Sequence, residues 1–465
     1  MKERILQTLR DLRQYALTLT QGKEVVVSLY YHEEDSYLMR FANSAISLNT
    51  NEHLIRLEIS ANEGQKRASI ELITNLDQVN EMKQGIDNAV EMVRHVQPLT
   101  YLPTLPAYTE TFIDESALDP ELSQLSNAEK LAFFNQAAAG LETEEIRLSG
   151  IFACGTNIIA MINTRSEHLQ YFASTDAQIN LVLSHSKLKW EVTAEQSAQK
   201  KADLNPQAMH NELALLLDHY QHDEPVQIPL GKYDIVFGAI AIANLVSFMN
   251  WIGFNGGLMR RGFSFITEDQ VGKQVLSSQF TLADDPGNLE TFPFKRDFMG
   301  MDRKRFPIFD KGVFKGFLWM QDDADEFGMK PTGHTVVHNS LVLEGGEMEV
   351  VTLEELLRMP REKDLLYVPF LHYMNIVNPS KGVITGSSRF GALLLKKDGS
   401  VAVPYNVRLT QSLPDIFGEK VAWLSKATVA QNLSHSYGAR NPVAMIVPRF
   451  MRVNDLEISH SNASY

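Results

Sequence analysis

Residues 235–254 form an uncharged stretch of twenty residues, and its interpretation decides to which broad class the chain belongs. A stretch of this length is long enough to cross a bilayer as a helix. Asn244 and Asn250 interrupt it, however, and Gly238 separates a β-branched beginning from an Ala-rich remainder. No second stretch of this kind occurs in the sequence. We therefore predict a buried strand followed by a buried helix, and no membrane span.

The charge balance argues against nucleic acid as a partner. The chain has 465 residues, and 43 lysines and arginines against 57 aspartates and glutamates give a net charge of −14. An acidic surface repels phosphate backbones. The only cysteine, Cys154, cannot form an internal disulfide, and residues 1–19 lack the apolar core of a secretory signal. We expect a cytoplasmic protein in which Cys154 is a small buried apolar residue.

The pattern of elements predicts an α+β protein with a β-rich C-terminal domain. Residues 1–97 contain an amphipathic helix, alternating strands and a second helix, and they form the predicted N-terminal α+β domain. Residues 98–110 carry three prolines without apolar periodicity and are interpreted as a linker. A middle α+β region follows over residues 111–224. Residues 225–465 form the β-rich C-terminal domain, in which short apolar runs are broken by Gly, Pro and Asp.

None of the common catalytic motifs occurs in the sequence, which lacks His-Glu-x-x-His, a phosphate-binding loop, a dinucleotide-binding fingerprint and Gly-x-Ser-x-Gly. His334 and His338 have the spacing of a helical metal site, but the β-branched residues between them favour a strand, in which they would lie roughly 13 Å apart. Adjacent acidic residues are interpreted as parts of turns and solvated edges, because neighbours in a strand point to opposite faces. These pairs are Glu33-Glu34, Asp284-Asp285 and Asp322-Asp323.

Several short sequence segments, taken in their order along the chain, resemble segments of the TldD/PmbA family. The family's Thr-Leu-x-Asp-Asp-Pro stretch is similar to residues 281–286, and its Thr-Gly-His/Asn element is similar to Thr332-Gly333-His334. Further similar segments lie at 40–46, 163–171, 378–392 and 396–407. The resemblance rests on the order and spacing of these segments over nearly the entire chain.

Two segments depart from the pattern of the family. Residues 372–375, with the sequence His-Tyr-Met-Asn, replace a glycine-rich stretch. Residues 383–386 are additional.

The resemblance implies a family of metalloproteases. Its catalytic, TldD-type members carry His-Glu-x-x-x-His on the helix after the first strand of the C-terminal domain, and a ligand cysteine near the C-terminus. In this sequence Gly238, Ala239 and Ala243 stand at the motif positions, and the C-terminal cysteine is absent. A catalytic zinc needs about three protein ligands, and glycine and alanine side chains supply none. We therefore predict no metal and no cofactor, and the resemblance is to the PmbA (TldE) branch, which lacks the metal site.

The function implied by this resemblance is that of a non-catalytic subunit, which binds a TldD-type metalloprotease and helps to admit extended peptides as substrates. An extended peptide would pair with the edge of a strand. The peptide-binding candidates are Thr332, Gly333, His334 and Asn339. Two alternatives stay open. The first is a divergent metallopeptidase with a rearranged metal site built from His334, His338, His372 or His435, and the second is a homodimeric peptide-binding protein without a protease partner.

Overall fold

The computed structural model of the chain describes residues 1–222, 224–335, 338–434 and 440–462. Ten α-helices lie within these residues. They are α1 (Lys2–Leu19), α2 (Val79–Met92), α3 (Pro120–Ser123), α4 (Asn127–Ala137), α5 (Pro206–His222), α6 (Ala239–Ile252), α7 (Gly256–Arg260), α8 (Gln321–Phe327), α9 (Leu353–Arg358) and α10 (Leu413–Phe417).

The same residues contain twenty-two strands. The first seven are β1 (Val26–Ala42), β2 (Ala45–Glu63), β3 (Lys66–Thr74), β4 (Phe112–Ala117), β5 (Ile146–Asn163), β6 (Leu169–His185) and β7 (Glu191–Ala198). The others are β8 (Gly231–Gly238), β9 (Leu282–Asp284), β10 (Phe306–Asp310), β11 (Val313–Phe314), β12 (Leu341–Leu343), β13 (Leu365–Val368), β14 (Phe370–Asn378), β15 (Val383–Arg389), β16 (Leu393–Leu395), β17 (Val401–Ala402), β18 (Asn406–Ser412), β19 (Val421–Leu424), β20 (Thr428–Asn432), β21 (Ala444–Pro448) and β22 (Phe450–Asn462). The prediction of an α+β chain with a β-rich C-terminal part is confirmed.

The first seven strands form one sheet, in the order β3-β2-β1-β5-β6-β4, with β7 also paired to β6. β1 and β5 pair antiparallel from Ser28 opposite Asn163 to Phe41 opposite Gly150. Strands from both sides of the predicted linker therefore share a sheet. Residues 98–110 contain no helix or strand, and the predicted domain boundaries stay a prediction.

Helices α1 and α2 cover one face of this sheet. Leu29 and Tyr31 of β1 point into the core that these helices form with the sheet. A Cβ atom at Gly85 of α2 would lie 2.7 Å from the terminal Cδ1 carbons of Ile59 and Leu72, so α2 approaches β2 and β3 closely here and a larger residue would displace these side chains. Since side chains alternate along a strand, Tyr30 lies on the opposite face, which the C-terminal half of the chain covers.

Two further sheets make up the C-terminal half. One has six strands in the order β11-β10-β9-β12-β21-β20, and the other has nine, in the order β14-β15-β18-β22-β8-β13-β16-β17 with β19 paired to β22. β22 therefore lies between β18 and β8. Helix α6 contacts strands of both sheets, including β8, β14, β20 and β21. Its apolar residues belong to the largest buried core of the described chain.

The uncharged stretch at residues 235–254 has the structure predicted for it. Strand β8 ends at Gly238, α6 begins at Ala239, and Ile235, Phe237 and Leu245 are among the buried residues of this unit. In the described part of the chain, no helix is both long and apolar enough to span a bilayer. The absence of charge in this stretch therefore reflects burial between two sheets.

The acidic pair Glu33-Glu34 lies within a strand, so its interpretation as a turn or solvated edge is wrong. Both side chains are buried on opposite faces of β1. Glu33 accepts hydrogen bonds from the hydroxyl of Tyr31 (2.6 Å) and the ring of His53 (2.8 Å). Glu34 accepts one from Arg56 (3.1 Å). Tyr31 of the same strand and the more distant His53 and Arg56 satisfy these carboxylates, so both can be buried within β1.

Buried polar contacts join the first sheet to the C-terminal half. The backbone N–H of Arg440 donates to Glu34, and its guanidinium donates to Asp176 of β6, at 3.1 Å from Nε to Oδ1. Asn432 Nδ2 also donates to Asp176, at 2.7 Å. All of these side chains are almost fully buried. The two halves of the chain are therefore connected by a buried ion pair, between Arg440 and Asp176, and by buried hydrogen bonds.

Candidate functional site

A cavity of about 540 Å³ lies between the first sheet and the loops of the C-terminal half, on the face opposite α1 and α2. Its size is in the range of small-molecule and peptide side-chain pockets. Aromatic residues and methionines supply much of its surface. They are Tyr30, Tyr108, Met161, Phe298, Met299, Trp319 and Met320. Polar groups of Arg67, Asp322, His334 and His338 also line it.

The structure brings two of the four predicted peptide-binding residues to this cavity, Gly333 and His334. Thr332 supports a cavity residue, because its Oγ1 accepts a hydrogen bond from the backbone N–H of Trp319 (3.1 Å). Asn339 is buried. Gly333 has a φ of +75°, and an added Cβ would lie 3.0 Å from the sulfur of Met301. The Thr-Gly-His segment is therefore a turn that presents His334 to the cavity.

His334 is held by the fully buried carboxylate of Asp284. Asp284 accepts hydrogen bonds from His334 Nδ1 (2.6 Å), the backbone N–H of Ser340 (2.7 Å) and Arg303 Nη2 (2.8 Å). Burial favours the neutral form of this carboxyl group, but the charge of Arg303 and the hydrogen bonds outweigh it and hold the pKa of Asp284 below its usual value. The interpretation of Asp284 as part of a solvated edge is wrong, because distant donors compensate its burial.

His338 is an uncharged group in this site. Its ring lies between those of Phe294 and Phe298, with centroid distances of 4.9 and 5.0 Å. Its Nδ1 is buried and has no hydrogen-bond partner among the described residues. Burial, together with the nearby His32 and Arg303, lowers the pKa of His338 to about 3. Both His334 and His338 lie in a loop, so the predicted strand is wrong at these positions.

Arg67 and Asp322 form a bidentate ion pair at the rim of the cavity. The two guanidinium nitrogens of Arg67 lie 2.6 and 3.1 Å from the carboxylate oxygens of Asp322. This pair joins β3 of the first sheet to the start of α8 in the C-terminal half. Nothing in the local sequence of either residue indicates the contact, because 255 positions separate them.

The three residues predicted to stand at the positions of the family's metal motif, Gly238, Ala239 and Ala243, have no side chain that can bind a metal. Gly238 precedes the first residue of α6, and a Cβ there would lie 3.0 Å from Pro369 Cα and 3.2 Å from the hydroxyl of Tyr367. Ala239 and Ala243 are buried in the core. Among the described residues, no group of three or more His, Cys, Asp or Glu side chains is arranged to hold a metal ion. His372 lies beside Arg389 (3.4 Å), and His435 lies outside the described residues.

Comparisons with known proteins agree with this architecture. Residues 230–460 match the family model described as the PmbA/TldA metallopeptidase C-terminal domain. The fold is similar to that of TldE from Thermococcus kodakarensis, with a TM-score of 0.79 and 16% identity over 97% of this chain and 100% of that one. No curated protein sequence matches the chain.

Two proteins described as putative modulators of DNA gyrase share the fold as well. The one from Bacteroides thetaiotaomicron has a TM-score of 0.77 and 18% identity over 97% of this chain and 98% of its own. The one from Thermotoga maritima has a TM-score of 0.75 and 16% identity over 97% and 100%. The C-terminal half is thus a domain of the PmbA/TldA metallopeptidase class, and the likeness in fold extends over nearly the entire chain. The chain belongs to the TldD/PmbA family, as the similar sequence segments indicated.

Proposed function

We propose that this chain is the non-catalytic, TldE-type subunit of a TldD-type metalloprotease system and that it binds extended peptides which the partner subunit cleaves. The observation that carries the proposal is the chemistry of Gly238, Ala239 and Ala243. These residues offer no donor atom, and the two alanines are packed in an apolar core. A catalytic metal requires ligands and an open coordination position, so catalysis is assigned to the partner.

The peptide-binding part of the proposal rests on the cavity that Gly333 and His334 line. Its aromatic and methionine surface suits apolar side chains of an unfolded peptide. The net charge of −14 supports the exclusion of nucleic acid from the partners. The cytoplasmic location and the absence of a cofactor belong to the same proposal.

The decisive experiment measures peptide cleavage by the purified chain, by a TldD-type protein from the same source, and by their mixture. We expect cleavage of an unfolded protein such as β-casein only where the TldD-type protein is present, and faster cleavage in the mixture. The purified chain should contain far less than one zinc ion per molecule. Chelator-sensitive cleavage by this chain alone would instead establish the divergent metallopeptidase. If the two proteins neither associate nor affect each other's activity, the protease role fails, and peptide binding by the isolated chain would then favour the homodimeric peptide-binding protein.

A pair of variants tests the cavity. Met299→Lys places a charge in the apolar cavity and should reduce cleavage in the mixture at least tenfold without preventing association. Met92→Lys makes the same chemical change on the exposed end of α2, outside the cavity residues, and should have no effect.

A further inference from the structure

A second and larger opening, a groove of about 1290 Å³, lies between the first sheet and the six-stranded sheet. β7 supplies Glu195, Gln196 and Ser197 to one wall, and β20 supplies residues 428–431 to another. The two strands meet at one end, where the backbone N–H of Asn432 donates to Ser197 Oγ (2.5 Å). The groove is therefore closed by a defined contact at one end.

Both strands that border the groove are edge strands. Within the described residues, β20 pairs only with β21, and β7 pairs only with β6. The free side of an edge strand carries backbone N–H and C=O groups without a partner strand. An extended peptide can bind there by adding a strand, so that the main chain provides affinity and side chains provide selectivity.

The side chains around the groove are predominantly acidic. The carboxylates that line it are Glu195, Asp203, Glu212, Glu290, Glu344 and Glu354, and the basic residues are His210, Lys426 and Arg449. Arg449 is paired with Glu212, and Lys426 is paired with Glu349 (2.7 Å). In the described part of the chain, Glu195 and Glu290 form no ion pair. The groove therefore carries excess negative charge.

Glu195 is the carboxyl group best placed to receive a cation. It is half-buried on β7 and accepts a hydrogen bond from Asn180 Nδ2 on β6. Burial is the main reason that the pKa of Glu195 is raised to about 7, and the nearby Glu212 of α5 adds to the effect, whereas the hydrogen bond from Asn180 opposes it. Ionised Glu195 thus has a hydrogen bond from Asn180 but no cationic partner among the described residues, and an incoming cation would supply one.

We propose that the groove binds an extended peptide along the free edge of β20, with a lysine or arginine side chain of the peptide paired to Glu195. This inference rests on the proposed function, since it takes peptide binding as given, and it adds the class of peptide that the chain selects. Cationic peptides complement the excess charge of the groove, whereas acidic peptides are repelled.

Peptide binding at Glu195 should depend on pH. A bound cation favours the ionised carboxylate, so binding below pH 7 releases a proton and affinity rises by about tenfold from pH 6 to pH 8. Asn180 contacts Glu195 directly and Glu212 lies near it; the other charged and titratable residues that line the groove are Asp203, His210, Glu290, Glu344, Glu354, Lys426 and Arg449. His210 also lines the groove and carries an imidazole, so His210→Gln is used as a separate variant to isolate the contribution of Glu195.

The experiment measures fluorescence anisotropy of two labelled decapeptides with the full-length chain at 150 mM salt. One peptide alternates threonine and lysine, and the other alternates threonine and glutamine. We expect the lysine peptide to bind about tenfold more tightly at pH 8, and Glu195→Gln to abolish both this preference and the pH dependence. His210→Gln should preserve both. Glu362→Gln removes an exposed carboxylate outside the groove residues and should change neither.

The outcomes separate this inference from the proposed function. Equal affinity for the two peptides, binding of neither, or a lysine preference that survives Glu195→Gln would overturn the groove assignment. The protease role is decided independently by partner-dependent cleavage. If the lysine preference depends on Glu195 but no partner-dependent cleavage is found, the groove remains the proposed site for cationic peptides and the protease role is rejected.

Discussion

Nδ1 of His334 lies 2.6 Å from Oδ2 of Asp284, although fifty positions separate the two residues in the chain. The carboxylate ends β9, and the imidazole belongs to the Thr-Gly-His turn at the cavity. Two of the sequence segments that resemble the family, residues 281–286 and 332–334, thus contribute to one buried hydrogen-bonded group. The position of the cavity wall depends on this carboxylate.

Asp284→Asn should destabilise the protein strongly. The substitution leaves Arg303 buried without its charge partner, and removing one member of a buried pair costs about 3 to 5 kcal/mol. Asp285→Asn affects a more exposed carboxylate that lies 3.8 Å from Arg305, and it should cost less than about 1 kcal/mol. Urea unfolding of both variants measures the difference. Similar losses for the two would contradict the central role of Asp284.

The uncharged state of His338 should make the protein sensitive to acid. Its pKa is about 3 in the folded protein against a usual value of 6.5, so below pH 6.5 the unfolded chain binds a proton that the folded chain does not. The folded state therefore loses about 2 kcal/mol from this group between pH 6.5 and pH 5.

His338→Leu should remove this part of the pH dependence of the unfolding free energy. The matched control is His95→Leu, because His95 is exposed near the end of α2. Unfolding by urea at pH 7, 6 and 5 provides the comparison. An unchanged slope in His338→Leu would show that the ring is accessible to protons in the folded state.

Ala243→His tests whether this predicted metal-motif position can accept a ligand. Ala243 is fully buried, and an imidazole there would overfill the core and bury an unpartnered polar group, at a cost of about 2 to 5 kcal/mol. Ala128→His, on the exposed side of α4, should cost less than about 1 kcal/mol. Thermal unfolding is measured with and without zinc. Stabilisation of Ala243→His by zinc would mean that a latent metal site exists.

Tyr373→Gly should stabilise the protein. Tyr373 has a φ of +48° and its side chain is 71% exposed, so it adopts a backbone conformation that favours glycine while burying little surface. We expect a gain of about 0.5 to 1 kcal/mol in the free energy of unfolding. Tyr405→Gly, at a half-buried tyrosine without a positive φ, should instead lose stability. A loss at Tyr373 would indicate that its ring contact with His372 outweighs the strain.

The elements that depend on local sequence could be predicted. The change from β-branched to Ala-rich residues at Gly238 marks the step from β8 to α6. The Ser126 hydroxyl and the Glu129 carboxylate form the capping box that starts α4, as their spacing indicates. In both cases the determining residues lie within one helical turn of each other.

The buried charges could not be predicted, because their partners are distant in the chain. Glu34 is neutralised by Arg56 and by the backbone N–H of Arg440, and Asp284 by Arg303 and His334. When only neighbouring residues in the sequence are considered, adjacent acidic residues are predicted to be exposed to solvent, because burial of an unpaired carboxylate is unfavourable. The sequence also did not predict the groove between β7 and β20. Whether a strand lies at the edge of a sheet depends on which other strands pair with it, and its own sequence does not show this.

The position of β22 between β18 and β8 has a consequence for biosynthesis. β8 and α6 leave the ribosome long before β22 is made, and β22 then has to insert between two strands that are far apart in sequence. Throughout this interval the uncharged stretch at residues 235–254, which contains the end of β8 and all of α6, lacks one of its neighbouring strands and is open to aggregation and proteolysis. The chain therefore has a vulnerable period during translation, and chaperones that bind apolar nascent segments would act on this segment.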